Sequence, residues 1–479
     1  MRWRSTIAAA LLFVALLAWV LTKERYRVPQ EGEVFGLDIA QVTGLRIERE
    51  GEETIVLEKR GDDWFITQPF QGLASNDEAE RMVKAIAELK PTSTREGQNL
   101  DAEQFGLAQA PLVATLIYDG GKQATVYVGA ETPMGSERYA KVSGARTRGG
   151  DAKLYVVSSM LRTTLWKEPD QLREKQVARF EADEVTSVTL SHGSENVVAT
   201  RSAAAENQDD EVKWALTTPL QTAADEWTVK QLINNVRDLR AEDFLTEAKP
   251  DAELGFSQPQ ARVSLKLADG RVVTITFGKS AEVEVGDPPA KKQIVYTGSS
   301  EREEVLLVSA DVLDKVRKTA FDLRDKSVLR FARDDVQRIT VERTKGLSFT
   351  VARRPDGWRV EKPQSFDARQ GAIDDILWDL EDLSAVKFVK ENTQPSELRA
   401  YGLAVPQTAI TIYLKGRDPI KVLIGAETSE GNYYCKTSES GQVVEISEFL
   451  MGDLPESVED LKQTTTESET GEGDDTGGS

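Results

Sequence analysis

Phe277, Gly278, Lys279 and Ser280 contain the Gly-Lys-Ser with which a phosphate-binding loop ends, so nucleotide binding is the first chemistry to weigh. Such a loop also needs a glycine five residues before Gly278, so that backbone N–H groups can curl around a phosphate. Position 273 is Val273, inside an apolar alternation, and the corresponding places elsewhere read GAET, from Gly129 and from Gly425. The stretch therefore reads as a strand-end turn. His192, the single histidine, stands in LSHGSE between Ser191 and Ser194, where a general base beside a hydroxyl nucleophile would stand. Neighbours on a strand point to opposite faces, and no nucleophile elbow or oxyanion-hole motif surrounds them; an exposed strand end is expected. Cys435 lies in NYYCKT, and on a buried or half-buried strand its thiol is inert unless a neighbour lowers its pKa.

Carboxylates are abundant, but glycosidase-like work needs two at a set separation in a sugar-binding cleft, which spacing along the chain does not supply. The runs Asp209–Val212 and Asp374–Leu377 read as a solvated loop and a solvated helix face. With one cysteine there is no intrachain disulfide, and with one histidine no metal site built on two imidazoles or a cysteine pair. The sequence calls for no cofactor, no metal and no catalytic residue. A net charge of -20 and a pI near 4.8 argue against nucleic acid as a partner, because phosphate binding rests on clustered Lys and Arg.

The residues that recur mark architecture. Trp64, Trp214 and Trp358 each precede a proline by five positions, Pro69, Pro219 and Pro363. Further on, FGLAQAP, LGFSQP and YGLAVP place Gly106, Gly255 and Gly402, and a second glycine follows each by 23 residues: Gly129, Gly278 and Gly425. A residue needed once for chemistry is not expected in all three copies. The tryptophans could line a ligand groove, but standing at a strand start in every copy they are expected in the core.

Between the markers runs an amphipathic helix whose apolar positions agree: Ala79, Met82, Val83, Ile86 and Leu89; Val229, Leu232, Ile233, Val236 and Leu239; Ile373, Ile376, Leu377, Leu380 and Leu383. Their offsets put one stripe on one helix face, able to pack on a sheet. Around the helix the period is two. Short alternating runs precede it, a hairpin ending in the second glycine follows, and a strand such as KLYVVS or EVLLVS closes each copy before a short helical stretch. The expected fold class is α+β: three repeated domains, 38–176, 180–328 and 331–461, each of antiparallel sheet plus amphipathic helices. Short joints near Val177 to Glu181 and Val328 to Arg333 leave room for contacts between neighbours.

Ahead of the repeats, Ile7 to Leu21 is uncharged and strongly apolar, and no small-x-small cleavage site follows it. This predicts a cytoplasmic tail over 1–6 and a transmembrane signal anchor over 7–22, making a single-pass inner-membrane protein with its body extracytoplasmic, on the periplasmic side. Arg2 and Arg4 nearly balance Lys23, Arg25 and Arg27, so the short leading tail decides the orientation. Residues 462–479 read as a disordered acidic tail.

The anchor, the W-x4-P turn, the helix, the glycine phrase and the hairpin, in this order and spacing, resemble a bacterial family known as domain of unknown function four-three-four-zero. The resemblance runs from about Asp38 to Leu461. It implies a single-anchor membrane protein, and some members look like partners of ABC transport systems of the gliding-motility type. No catalytic residue is established for the family and none carries over. The expected role is a non-catalytic accessory or scaffold protein of the cell envelope, in complex with an ABC transporter. The alternative is a binding module for an envelope polymer such as peptidoglycan or polysaccharide, which exposed tryptophans along one groove would favour.

Overall fold

A computed structural model describes residues 32–96, 102–144, 153–202, 213–245, 247–285 and 289–462. The expected anchor over 7–22, the Asp209–Val212 run and the acidic tail beyond Lys462 lie outside the described residues. No helix among the described residues is long and apolar enough to cross a membrane.

The first repeat shows how the pattern folds. Its strands are β1 (Val42–Arg49), β2 (Ile55–Arg60), β3 (Asp63–Gln68), β4 (Gly72–Leu73), β5 (Ser93–Glu96), β6 (Leu112–Tyr118), β7 (Lys122–Glu131), β8 (Glu137–Gly144) and β9 (Lys153–Ser158). They form one nine-stranded sheet in the order β4-β3-β2-β1-β6-β7-β8-β9-β5, and the same order recurs in the second and third repeats. Its pairings are antiparallel, and β1 joins the two halves by pairing with both β2 and β6. On β6 the alternation is complete: Leu112, Ala114, Leu116 and Tyr118 are buried and the residues between them half-buried, as expected where one sheet face meets the core.

Helix α1 (Asn76–Ala87) lies between β4 and β5 in the chain and covers the sheet. Ser75 caps it by accepting from the Glu78 N–H, and Asp77 and Glu78 face the positive end of the helix dipole. It buries Ala79, Met82, Val83 and Ile86, and each of the three larger side chains removed from water contributes about 1.5–3 kcal/mol. The matching helices Glu226–Arg237 and Gln370–Glu381 bury their stripes likewise. After β9 comes the short helix α2 (Met160–Leu165), as expected after each closing strand.

Three features differ from the sequence expectation. The hairpin does not end at the second glycine: β7 runs on to Glu131 through an irregular register between Val128 and Glu131, and the strand Val272–Val285 runs through Gly278 with a register shift between Phe277 and Ser280. An extra residue in one strand bends and twists the pair without ending it. A further strand, β8, follows in each copy, where the alternation is weak. The last stripe positions Leu89, Leu239 and Leu383 lie just beyond their helices, where their carbonyls take on another role described below.

By density of contact the chain divides into two compact units. One comprises 1–180, 237–260 and 273–312; the other comprises 181–236, 261–272 and 313–479. The apolar core of the first repeat lies in the first unit, and that of the third repeat in the second.

Candidate functional site

The marker residues are placed inside the fold. Trp64, Trp214 and Trp358 are 0%, 5% and 3% exposed, so none lines an open groove. Lys59 lies over the Trp64 ring and Arg353 over that of Trp358, five residues upstream in both cases. Pro69, Pro219 and Pro363 each follow a cis peptide bond.

The two glycines of each copy meet one another. Gly255 has φ of +83°, and a Cβ there would stand 2.7 Å from the Lys279 backbone nitrogen; a Cβ on Gly278 would overlap the Leu254 carbonyl oxygen. The turn before one strand thus rests against the bulge of the next, at a distance only glycine permits. Gly106 with Gly129, and Gly402 with Gly425, repeat the contact. The side chains of Gln260 and Gln407 donate to the carbonyls of Gly278 and Gly425 at 2.8 and 2.9 Å; in the first copy Pro111 cannot, and Arg138 donates to Gly129 instead.

The residues weighed for catalysis are not brought together. Lys279 and Ser280 lie within the long strand Val272–Val285. His192 is half-buried at the end of the strand Val185–His192, not exposed as expected, because its Nε2 pairs with the Lys318 carbonyl at 3.0 Å. Ser191 is bonded to Asn196 instead of to His192. Cys435 is buried, and burial pushes its thiol up to about 12, so it carries no thiolate near neutral pH. Asp379, on the Asp-rich helix face, is half-buried; burial raises its carboxyl above the ordinary value, and Asp453, Asp375 and Asp382 add repulsion.

Buried arginines and their acidic partners gather at the joints, away from the marker residues. Residues 172–180 read LREKQVARF and residues 323–331 read LRDKSVLRF, a repeat legible in the sequence itself. Each segment is bonded on both sides. In the first unit, Leu172 O accepts from Ser75 N, and Val177 N donates to Leu239 O. In the second, Leu323 O accepts from Asp225 N, and Val328 N donates to Leu383 O. The leucines that end the helical stripes therefore present carbonyls to an extended linker. Val34 N donates to Leu89 O in the same way, so the chain entering the first repeat follows the same path as the linkers.

An arginine locks each linker. Arg173 lies 3.6 Å from the centroid of the Phe244 ring and pairs with Asp170 and Glu304. Arg324 lies 3.3 Å from that of Phe388 and makes a two-pronged pair with Glu391, at 2.6 and 2.8 Å. This pairing holds the Glu391 carboxyl below its ordinary value. A flat guanidinium on an aromatic face, with its edge on a carboxylate, is a geometry lysine does not reproduce.

A cleft of about 570 Å³ opens beside the linker in the first unit, lined by Arg60, Asp63, Arg179, Arg302 and Glu304 among others. Its charges engage one another. Arg302 donates to the carbonyls of Glu174 and Gln176 and pairs with Glu304, and Arg179 pairs with Glu174 and Asp63. In the second unit the Arg302 position is Ser440, and the cleft of about 470 Å³ there is more apolar, with Phe321 stacked edge-on against Phe388. These arrangements clamp extended chain.

A family model described as Domain of unknown function (DUF4340) matches the chain three times, over residues 64–259, 214–359 and 358–472. Each match begins at one of the marker tryptophans. No curated protein matches the chain.

Proposed function

The chain belongs to the family described as Domain of unknown function (DUF4340), and on that premise we propose that it is a non-catalytic, membrane-anchored accessory or scaffold protein of the cell envelope, working as an auxiliary subunit of an ABC transport complex. In this reading the apolar segment over 7–22 anchors the chain in the inner membrane and the repeats stand outside it. The observation that carries the reading is the use of the repeated residues. Trp64, Trp214 and Trp358 are spent in cores, and Arg173 and Arg324 are spent on linkers. Repeated units joined by bonded linkers suit an extended contact with a partner better than a single cleft does. Burial of the same tryptophans removes them from the polymer-binding alternative, which needs aromatic faces open to a sugar chain; of the exposed tryptophans, Trp227 and Trp378, the second carries the Arg333 guanidinium on its ring.

The test is co-purification of the tagged full chain from gently solubilised native membranes. Stoichiometric recovery of an ABC permease with its ATPase is the expected result. Recovery of the chain alone, in mild detergent at low salt, overturns the role.

A further inference from the structure

We propose that a cavity at one end of the third repeat's core binds a small organic monocarboxylate with an apolar body, held by Arg343 and Thr408. The cavity, of about 450 Å³, lies between the sheet and the short helix Phe449–Asp453, and its lining includes Arg343, Thr408, Tyr433, Phe449 and Met451. Strand register puts the polar groups on one face. Arg343 stands directly opposite Thr408, Thr408 opposite Ile424, and Ile424 opposite the buried Cys435. Tyr433, two residues before Cys435 on its strand, shares that face, and with Met451 it packs against the apolar core of the repeat.

The first repeat holds the same cation differently. Arg49 ends β1 as Arg343 ends the strand Val336–Arg343, and it faces Leu112 where Arg343 faces Thr408. Arg49 is buried and paired within the chain, to the Glu168 carboxylate at 3.1 Å and the Glu53 carbonyl at 3.3 Å. Glu168 stands four residues before Leu172, whose carbonyl accepts from the N–H of the helix-capping Ser75. Four residues before Leu461, whose carbonyl accepts from the N–H of the matching Arg369, stands Ser457, and its hydroxyl is bonded to Asp460. Arg343 therefore keeps the cation without the acid. Its one side-chain hydrogen bond among the described residues runs 3.5 Å to the Pro455 carbonyl, and no carboxylate lies within ion-pair distance.

Thr408 supplies an independent sign of a ligand. It is 1% exposed and lines the cavity, and its hydroxyl has no hydrogen-bond partner among the described residues. A buried hydroxyl costs free energy until something bonds it. A carboxylate satisfies both groups, accepting from a guanidinium and from a hydroxyl at once. The rest of the lining sets the rest of the ligand. Phe449 is exposed and Met451 half-buried, so together with Tyr433 they offer an apolar wall. Glu448 and Asp453 line the cavity as well and match the charges of Arg343 and Lys345, so a second negative charge would meet repulsion. One carboxylate is favoured over a phosphate or a dicarboxylate.

The test is isothermal titration calorimetry of the full chain with two probes, hexanoate for a free acid and N-acetyl-L-leucine for the C-terminal residue of a peptide. Saturable binding of either one is expected, the tighter of the two identifying the source, and none with the neutral N-acetyl-L-leucinamide. Arg343→Gln should weaken the bound acid about tenfold or more, since hydrogen bonding to a charged group is lost. Thr408→Val keeps the shape of the side chain and should weaken the acid too. It should also raise the melting temperature of the unliganded chain, because it removes a buried hydroxyl that bonds nothing. That variant keeps the test decisive where Arg343→Gln does not fold. Absence of saturable binding for both acids overturns the proposal. So does equal binding of the amide, or an affinity that either folded variant leaves unchanged, since the occupied site is then a different one.

Discussion

Replacing Arg324 by Ala should release the linker 323–331 while leaving the sheet of the third repeat intact. The side chain is 4% exposed and lies flat on Phe388, where a desolvated cation–π contact contributes about 2 kcal/mol. Its pair with Glu391 adds less than a buried pair would, because Glu391 is 46% exposed and water screens it; about 1 kcal/mol is reasonable. A loss near 3 kcal/mol, at about 1.4 kcal/mol per factor of ten, speeds exchange through local opening by about 100-fold. Hydrogen exchange should show this at the amides that hold the linker: Asp325 to Ala223 O, Val328 to Leu383 O and Ala385 to Lys326 O. Amides within the strand Thr408–Leu414 serve as the reference. Linker exchange unchanged in the folded variant refutes the clasp. Equal acceleration in linker and strand refutes it too, because the side chain would then support the whole unit instead of the joint. The effect also has a pH sign. Since Arg324 holds the Glu391 carboxyl below its ordinary value, its contribution is present above the ordinary glutamate range and is lost as pH falls through the lowered value.

Gly278→Ala should destabilise by about 1–3 kcal/mol, because the added methyl meets a backbone carbonyl that cannot rotate away; a denaturation midpoint equal to that of the parent would show the close approach is not needed. Asp379→Asn should raise the melting temperature at neutral pH. The raised carboxyl means the native state holds its proton more tightly than the unfolded chain does, so stability falls as pH rises through that range, and the advantage of Asn should shrink in acid. Cys435 should resist an alkylating reagent in the native protein at mildly alkaline pH and react fully in denaturant; rapid native labelling would contradict its burial.

The core was legible because its signal is periodic. The stripe Ala79, Met82, Val83 and Ile86 and the alternation from Leu112 to Tyr118 both arise from side chains that must face one apolar layer, and both are buried as read. Where the periodic signal weakens, the reading fails. The β8 strand Glu137–Gly144 buries only Ala140 and Val142, too few to declare an alternation. At Gly278 the sequence reads as a strand-end turn where the structure has a bulge, because a glycine after an apolar run signals both equally. The linker was readable as a repeated phrase, LREKQVARF and LRDKSVLRF, yet the contacts that explain it were not. Arg324 and Glu391 are 67 residues apart, and neither periodicity nor local turn chemistry relates residues at that distance.

The joint residues also vary together from copy to copy. By register on the closing strands, the position of Phe244, opposite Leu306, and of Phe388, opposite Val444, is held in the first repeat by Thr94, opposite Tyr155. After the third repeat, Lys462 takes the arginine's place, bridging Ala368 as Arg173 bridges Ala74 and Arg324 bridges Ala224. The residue after the proline changes in step: Phe70 and Leu220, but Gln364 in the last copy. Arginine and phenylalanine therefore occur together at both joints, Arg173 with Phe244 and Arg324 with Phe388, and the ring is missing from the matching strand position of the first repeat. A residue kept for the stability of a single repeat would not follow its neighbours in this way. A buried guanidinium is costly without a partner, so the arginine of a joint and the ring it lies on are expected to be kept or given up together.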